Sequence, residues 1–590
     1  MTNDTIVEAL ELTAKLLELH EGDSFKIRSY SSAAFNLSRI NERELALLSA
    51  DELTKIQGVG KGVAAKIREL VETGKIAETE ELLAQTPTGV LEMFKVKGIG
   101  PKKIGTLWRQ LGIENLEALQ RACQSGQIAQ LKGFGENTQQ KILESLAFLR
   151  SQAGKLRMDK AEALAQLLEE ALQAQFEKVA ITGEIARGNE TVETIQLVVA
   201  TDSPTEAPQK LKNIGWILQT PRESSPFVWR GRLRHATESE ADAPPPNEEI
   251  EVQTTKEVKV EILFVKPEWF ENERFVAECT EAHLAYRVSS GQTLFQIAYQ
   301  APITSTEEVY QKAGLPYIVP EMRQGNGEWE WIQQNDSSQL ITWQDLRGIL
   351  HNHSTYSDGK HSLEEMARFC KELGFEYLGI ADHSQSATYA NGLRVDRVLQ
   401  QHTEIEHLNQ TLAPFKILKG IESDILGDGS LDYPNDILQT FDYVVASVHS
   451  NLNMTLEKAT ARLLRAIENP YTTILGHPTG RLLLAREGYP IDHKAVIEAC
   501  AKHGVVIEIN ASPWRLDLDW RWIRYAMECG VLLSINPDAH QKEGYFDMHY
   551  GLRVARKGGL IKSMTFNALS LQAMEDYLTK KKHKSKAFMN

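Results

Sequence analysis

The residues of this chain best able to do chemistry crowd between His351 and His540. His351 and His353 close the run ILHNH, His383 closes LGIADH and Glu422 stands in LKGIESDI. His449 closes VVASVH, His477 closes TILGH, and Asp538 and His540 close LLSINPDAH. Asp358 follows the first pair, in HNHSTYSDGK. Imidazole and carboxylate together suit Mn²⁺ or Zn²⁺, with Fe²⁺ a third candidate, better than the all-oxygen sites of Mg²⁺ or Ca²⁺. Clustered divalent ions suit phosphate-ester hydrolysis, because they activate water and clamp phosphoryl oxygens as charge builds on them. One histidine at a strand end is an ordinary surface or core residue. Nine ligand-type residues at or just after the ends of six out of seven strands are not explained that way. Arg481 and Arg515 lie in the same region and offer guanidinium contacts to a phosphate, or surface ion pairs.

Elements must bring these residues together. From Leu346 onward, strand-like runs alternate with helical patterns such as SLEEMARFCKELG, LEKATARLLRAIEN and HKAVIEACAKHG. Strand–helix alternation implies parallel strands with crossovers, hence an α/β barrel or an open sheet. In a barrel the C-terminal strand ends converge on one face, where ligands distant in sequence meet. His351 and His353 are two apart, which on a strand places them on one side; Asp538 and His540 repeat the spacing.

The N-terminal part carries a different signal. IQGVGKGVAAKI (56–67), VKGIGPKKIGTLW (96–108) and LKGFGENTQQKIL (131–143) share apolar-x-Gly-apolar-Gly followed by a helical pattern. Gly58 and Gly60, like Gly98 and Gly100, permit a tight turn that exposes backbone N–H groups at a helix start. Lys61, Lys102 and Lys103 add charge there; the third copy lacks such lysines. The expected partner is a DNA backbone, gripped without reading sequence.

The rest of the chain bounds these readings. Its 590 residues require several domains. The net charge of −15 argues against non-specific coating of nucleic acid but not against local basic patches. No run of about 18 apolar residues is present, so no membrane span is expected. The acidic amphipathic start MTNDTIVEALELTAKLLELH is unlike a signal peptide. Five dispersed cysteines without CxxC spacing read as buried small hydrophobes in a reducing cytoplasm.

HNHSTYSDGKHSLEEMA, GIADHS, GIESDILGDGSLDY, ASVHS, GHPTGR, EINASPWRLDL and PDAH resemble the motifs of the polymerase-and-histidinol-phosphatase (PHP) domain. More closely, they resemble the version joined to bacterial and archaeal family X DNA polymerases. The resemblance implies a distorted seven-stranded barrel holding two or three divalent ions. By that resemblance one ion takes His351, His353, Glu422 and Asp538. A second shares Glu422 and adds His449 and His477; a third takes Asp358, His383 and His540.

The segment FKIRSYSSAAFNL and the first two hairpins resemble the lyase and fingers subdomains of the same family. Lys66 sits where that family places its Schiff-base lysine; a lone lysine on a helix is usually a solvated charge, so lyase activity is a side reading, and Lys66 is also counted among the candidate DNA contacts. The family palm reads GS-x-x-RG, then D-x-D, with a third aspartate on a later strand. Here the stretch is GEIARGNETVETIQLVVA: Gly183, Arg187 and Gly188 fit, but Glu184 replaces the serine, and Thr194 and Gln196 replace the paired aspartates. The later strand VKVEILFV offers Glu261. Threonine and an amide are poor substitutes for anionic ligands of a hard cation. TEEVYQKAGLPYIVPEMR matches the family again, whereas AECTEAHLAYR does not match its thumb motif. The resemblance therefore implies a retained polymerase fold, with nucleotidyl transfer lost and dNTP binding in doubt.

The expected fold is multidomain: an α-helical helix-hairpin-helix region, an α+β nucleotidyltransferase-like palm and thumb, and a distorted (β/α)₇ PHP barrel. The expected divisions are 1–80 lyase-like, 81–154 fingers-like, 155–265 palm with an acidic insertion near 236–251, 266–325 thumb-like, 326–345 linker, 346–580 PHP and 581–590 basic tail. The expected function is a cytoplasmic, monomeric 3′–5′ exonuclease or 3′-end-processing enzyme of DNA repair, acting on gapped, nicked or 3′-damaged DNA. The alternatives are an active polymerase with proofreading, a histidinol-phosphatase-like small-molecule phosphatase, and a non-catalytic DNA-binding scaffold.

Overall fold

The structure, a computed structural model, describes residues 1, 3–37, 44–233 and 258–589. The acidic stretch near 236–251 lies outside the described residues. The described chain forms two compact units, Met1–Ala153 and the residues from Gly154 onward.

The first unit is helical. Helix α1 (Asn3–Leu19) is followed by further helices, among them α2 (Lys61–Thr73), α3 (Pro101–Leu111) and α4 (Glu136–Gln152). Val63, Ala64, Ile67 and Leu70 bury one face of α2, a spacing of three and four residues that sets a single apolar stripe.

The second unit opens with a short ribbon, β1 (Leu156–Arg157) against β3 (Thr191–Val192). Between these strands lie α5 (Met158–Gln173) and β2 (Lys178–Thr182). Ala161, Ala165, Leu168 and Leu172 of α5 pack on a five-stranded mixed sheet. Its order is β2, β4 (Thr194–Ala200), β7 (Lys259–Val265), β6 (Val228–Leu233) and β5 (Ile217–Gln219). Short helices over 270–331 enclose a further core around Phe275, Tyr310, Ile318 and Trp331. The stretch 326–345, expected as a linker, is packed: Trp331 is buried and its indole N–H donates to the Gly559 carbonyl at 2.9 Å.

From β8 onward seven parallel strands lie side by side in sequence order: β8 (Gly348–Ile349), β9 (Tyr377–Ile380), β10 (Lys416–Asp424), β11 (Tyr443–Ser447), β12 (Ile474–Leu475), β13 (Val506–Asn510) and β14 (Leu533–Asn536). The sheet nearly closes, through a parallel bridge from Asn352 to Ala539. Strands β9, β11, β13 and β14 are buried throughout, as unbroken runs such as YVVAS predict for parallel strands covered on both faces. Helices α6 (Leu363–Glu372), α7 (Val395–Thr411), α8 (Leu456–Glu468), α9 (His493–His503) and α10 (Met548–Lys557) supply the cover. Ser362 and Glu365 form a capping box that starts α6 directly after the Asp358 loop. Helix α11 (Leu571–Met589) runs through the segment expected as a free basic tail. Lys581 caps α9 by donating to the carbonyls of His503 and Gly504, and Lys582 pairs with Asp442 at 3.1 Å.

Candidate metal centre

All nine expected ligands meet at the C-terminal mouth of the barrel, though not through strand alternation. His351 lies two residues beyond β8 with φ of 58°, and Asp538 two beyond β14 with φ of 54°. Both occupy the left-handed region, which ordinary side chains avoid and which persists where the surroundings hold it. The expectation that the two-residue spacing sets one side of a strand is corrected accordingly. Turns aim these side chains inward, and the strands only deliver the turns.

Glu422 is the hub. Its Oε1 lies 3.2 Å from His351 Nε2, 3.2 Å from His449 Nε2 and 3.1 Å from His477 Nε2. Its Oε2 lies 2.9 Å from His383 Nδ1 and 3.7 Å from His353 Nε2. Asp538 Oδ1 is 3.0 Å from His353 Nε2 and 3.5 Å from His351 Nε2. Asp358 stands 3.5 Å from His540 and 3.7 Å from His383. Among the described residues three groups have ligand atoms within 4.8 Å of one another: His351, His353 and Asp538; His383, Glu422 and His449; and His353, Asp358, His383 and His540. His353 and His383 thus each belong to two groups. His477 reaches the centre through Glu422.

The donor set fits several divalent cations. Buried His351 Nε2, His383 Nδ1 and Glu422 Oε2 make no well-formed hydrogen bond, although each faces ligand atoms of its neighbours. Without cations, protons must balance the buried carboxylates. Burial opposes charge on His449 and His540, yet Glu422 and Asp424 lift the first to about 10, and Asp358 and Asp538 lift the second to about 9. Burial, with the neighbouring His540 and His383, pushes His353 down to about 4. Burial alone would raise the Glu422 carboxyl, but His449, His351 and His383 hold it well below the ordinary range.

A second layer, not recognised in the sequence reading, orients the ligands. Glu508, on the one barrel strand that had offered no ligand, accepts from His351 Nδ1 at 2.6 Å and from the His477 backbone N–H at 3.1 Å. Asn536 and Asn510 complete its four contacts at 2.8 and 3.0 Å. Asp424 holds His449 Nδ1 at 2.6 Å. Asp382 ties down the His353–Asp358 loop, accepting from the Ser354 N–H at 2.8 Å and the Ser357 hydroxyl at 2.6 Å. Two signals were present: Asp424 follows Glu422 by two positions on a strand, and Glu508 interrupts a buried apolar run, where a carboxylate requires partners.

The two arginines separate. Arg515 is buried with Nε 3.6 Å from Asp538 Oδ2, beside the ligands. Arg481 is corrected as a phosphate contact. Its guanidinium donates to the carbonyls of Arg515 and Leu516 and to Asp519 at 2.8 Å, and lies 3.5 Å from Glu190.

In the first unit, Gly58 and Gly98 have φ of 83° and 91°, and Gly60 and Gly100 cap α2 and α3 without any side-chain acceptor for the first-turn N–H groups. A Cβ at Gly60 or Gly100 would meet nothing within 4 Å, so both turns face open space. Lys61 and Lys102 are exposed beside them; Lys103 lies over the Phe134 ring at 5.3 Å. Lys66 is paired with Glu69 at 2.7 Å.

In the five-stranded mixed sheet, Thr194 and Gln196 sit on β4, with Gln196 in register with Glu261 of β7. Glu261 accepts from Arg230 Nε at 2.6 Å and from the Gln196 amide at 2.9 Å. Glu184 accepts the backbone N–H groups of Glu193 and Thr194 at 2.7 and 3.3 Å.

The barrel and its ligand cluster define a PHP-domain hydrolytic enzyme, and the PHP domain family matches residues 350–512. A helix-hairpin-helix domain matches residues 1–76, and a SAM-like helix-hairpin-helix tandem matches 90–147. Over 584 residues the chain is 35% identical to the DNA polymerase/3′-5′ exonuclease PolX of Bacillus subtilis (strain 168), covering 98% of this chain and 99% of that protein. The chain belongs to the PolX family. Proteins described as "Probable phosphatase" from Thermoanaerobacter sp. (strain X514) and Acetivibrio thermocellus are 28% and 26% identical, over 40% of this chain and 95% of each relative. No described helix is long and apolar enough to cross a membrane.

Proposed function

We propose that the chain is a Mn²⁺- or Zn²⁺-dependent phosphodiesterase of the 3′–5′ exonuclease type, that it processes 3′ ends of gapped or nicked DNA in repair, and that its palm no longer transfers nucleotides. One observation carries the reading: Glu422, fully buried, has five imidazoles within 3.7 Å, those of His351, His353, His383, His449 and His477. That arrangement has no purpose in packing and suits cations. Bound divalent ions would supply an activated water and neutralise phosphoryl charge.

The chain's own residues set the rest. A proton on His351 Nδ1, held by Glu508, leaves Nε2 as the lone-pair donor facing Glu422; Asp424 does the same for His449. Arg515 offers a guanidinium beside Asp538 for the phosphate of the substrate. The open N-termini of α2 and α3 supply backbone donors for a DNA phosphate, in line with the helix-hairpin-helix matches. The loss of polymerisation rests on Glu261, the one carboxylate among Thr194, Gln196 and Glu261, being neutralised by Arg230.

The test is a 3′-labelled gapped duplex incubated with the purified chain and Mn²⁺, with and without dNTPs, beside a His351→Ala, His353→Ala double variant. Expected are chelator-sensitive release of the labelled nucleotide, no primer extension, and no release by the variant. Extension would refute the palm reading. Release in the presence of chelator would refute the barrel reading. Turnover of phosphomonoesters alone would move the function to the small-molecule phosphatase class.

A further inference from the structure

The palm and the barrel share one compact unit, and the β1–β3 ribbon meets the barrel at the loop that carries Arg515. Arg157 of β1 is buried, with its guanidinium 3.7 Å from the centre of the Trp514 ring. Asp159 fixes the plane of that guanidinium through two hydrogen bonds, at 3.1 and 2.9 Å. Glu190 leads into β3, and its carbonyl accepts the Met158 N–H at 3.1 Å, which ties it to β1. Its carboxylate faces Arg481, which in turn holds the carbonyls of Arg515 and Leu516. The ribbon therefore holds the residue before Arg515 through Trp514, and through Arg481 it holds Arg515 itself and the residue after. The segment needs holding, because Leu516 has φ of 44°, a conformation leucine rarely adopts. Further along the same contact Lys557 of α10 donates to the Arg187 carbonyl at 3.2 Å and to Asn189 Oδ1 at 2.5 Å. Arg553 pairs with Glu162 at 2.9 Å.

We propose that the palm works as a positioning element of the phosphodiesterase: Arg157 and Glu190 set the loop over 512–519 so that the Arg515 guanidinium stays beside Asp538 and grips the phosphate of the substrate. This rests on the barrel reading given above. It assigns to GEIARGNE, the stretch that precedes the altered D-x-D positions Thr194 and Gln196, a task in the neighbouring metal centre. Arg157 and Glu190 are positioning residues, since they act through Arg515 and touch no ligand.

The experiment uses the full chain with Glu190→Gln, Arg157→Lys and Arg515→Met, singly and with each of the first two combined with the third. Hydrogen–deuterium exchange is followed over 511–519, with β10 as the internal control. Mn²⁺-dependent hydrolysis of bis(p-nitrophenyl) phosphate gives KM and kcat separately. Expected for Glu190→Gln and Arg157→Lys are faster exchange confined to the loop and a KM raised about tenfold with a smaller change in kcat. In the Arg515→Met background neither substitution should raise KM further. Unchanged exchange over 511–519 overturns the proposal, and so do losses that add fully to that of Arg515→Met. A wild-type chain that binds Mn²⁺ but does not hydrolyse the diester refutes the barrel reading instead, and the exchange result then decides by itself whether the palm braces the loop.

Discussion

Replacing Glu508 by glutamine is the sharpest test of how the centre is held. The carboxylate is fully buried and has four donors. Oε2 receives His351 Nδ1 at 2.6 Å and Asn536 Nδ2 at 2.8 Å; Oε1 receives the His477 N–H at 3.1 Å and Asn510 Nδ2 at 3.0 Å. Glutamine has the same shape but only one oxygen. Whichever way its amide turns, two donors face an NH₂ group. Rotating the asparagine amides brings little relief, because Asn536 Oδ1 already accepts the Ser534 hydroxyl and Asn510 Oδ1 the Ser512 N–H. A buried donor left without an acceptor costs about 1–3 kcal/mol. The bond to His351 also loses its charge assistance, roughly half its strength. Partners of this kind behind a metal ligand are worth about 10–100-fold in metal affinity, or about 1.4–2.7 kcal/mol. The assay is equilibrium dialysis of wild type and Glu508→Gln against buffered Mn²⁺, with bound metal measured by plasma mass spectrometry and far-UV circular dichroism to verify the fold. A folded variant that binds Mn²⁺ as tightly as wild type would refute the assignment of Glu508 as the residue orienting His351.

Three further outcomes follow from the structure. Gly60→Ala and Gly100→Ala add a methyl group into open space at ordinary backbone angles, so thermal stability should hold while DNA affinity drops about fivefold, near 1 kcal/mol; a gel-shift titration with gapped duplex measures it, and unchanged affinity removes these turns from the interface. Arg323→Met should destabilise the second unit by about 3 kcal/mol, the low end for a broken buried pair, because Glu278 loses the partner at 2.8 Å but keeps Arg274; denaturant unfolding reads it, and Arg323→Met combined with Glu278→Leu should recover much of the loss. His402 packs edge-on against Phe441, and burial together with Lys419 holds its pKa down to about 4. The unfolded chain therefore binds the extra proton first, and the contribution of His402, up to about 3 kcal/mol, is complete above pH 6.5 and is lost as pH falls toward 4. His402→Leu should flatten that part of the acid unfolding profile, and an unaltered profile would contradict the assignment.

Much of the centre was legible in the sequence, because ligand chemistry is a property of residue type. Histidines and carboxylates that end apolar, strand-length runs advertise both their donors and their place in a parallel barrel, and His383, Glu422 and His449 were found that way. The glycine turns of the hairpins were legible for a similar reason: two glycines spaced by one apolar residue encode a local backbone conformation that needs no distant partner. Arg481 shows the limit, since a guanidinium near a metal site in sequence can serve a phosphate or a carbonyl, and only the fold decides which by what it brings within 3 Å. The left-handed turns at His351 and Asp538, the buried carboxylate of Glu508 and the hold of the palm on the Arg515 loop were likewise settled by tertiary structure. Each depends on contacts between residues far apart along the chain, whose energies are comparable to the local preferences they override, so local sequence pattern at most marks an odd residue, as Glu508 in VVIEIN, and does not name its partners.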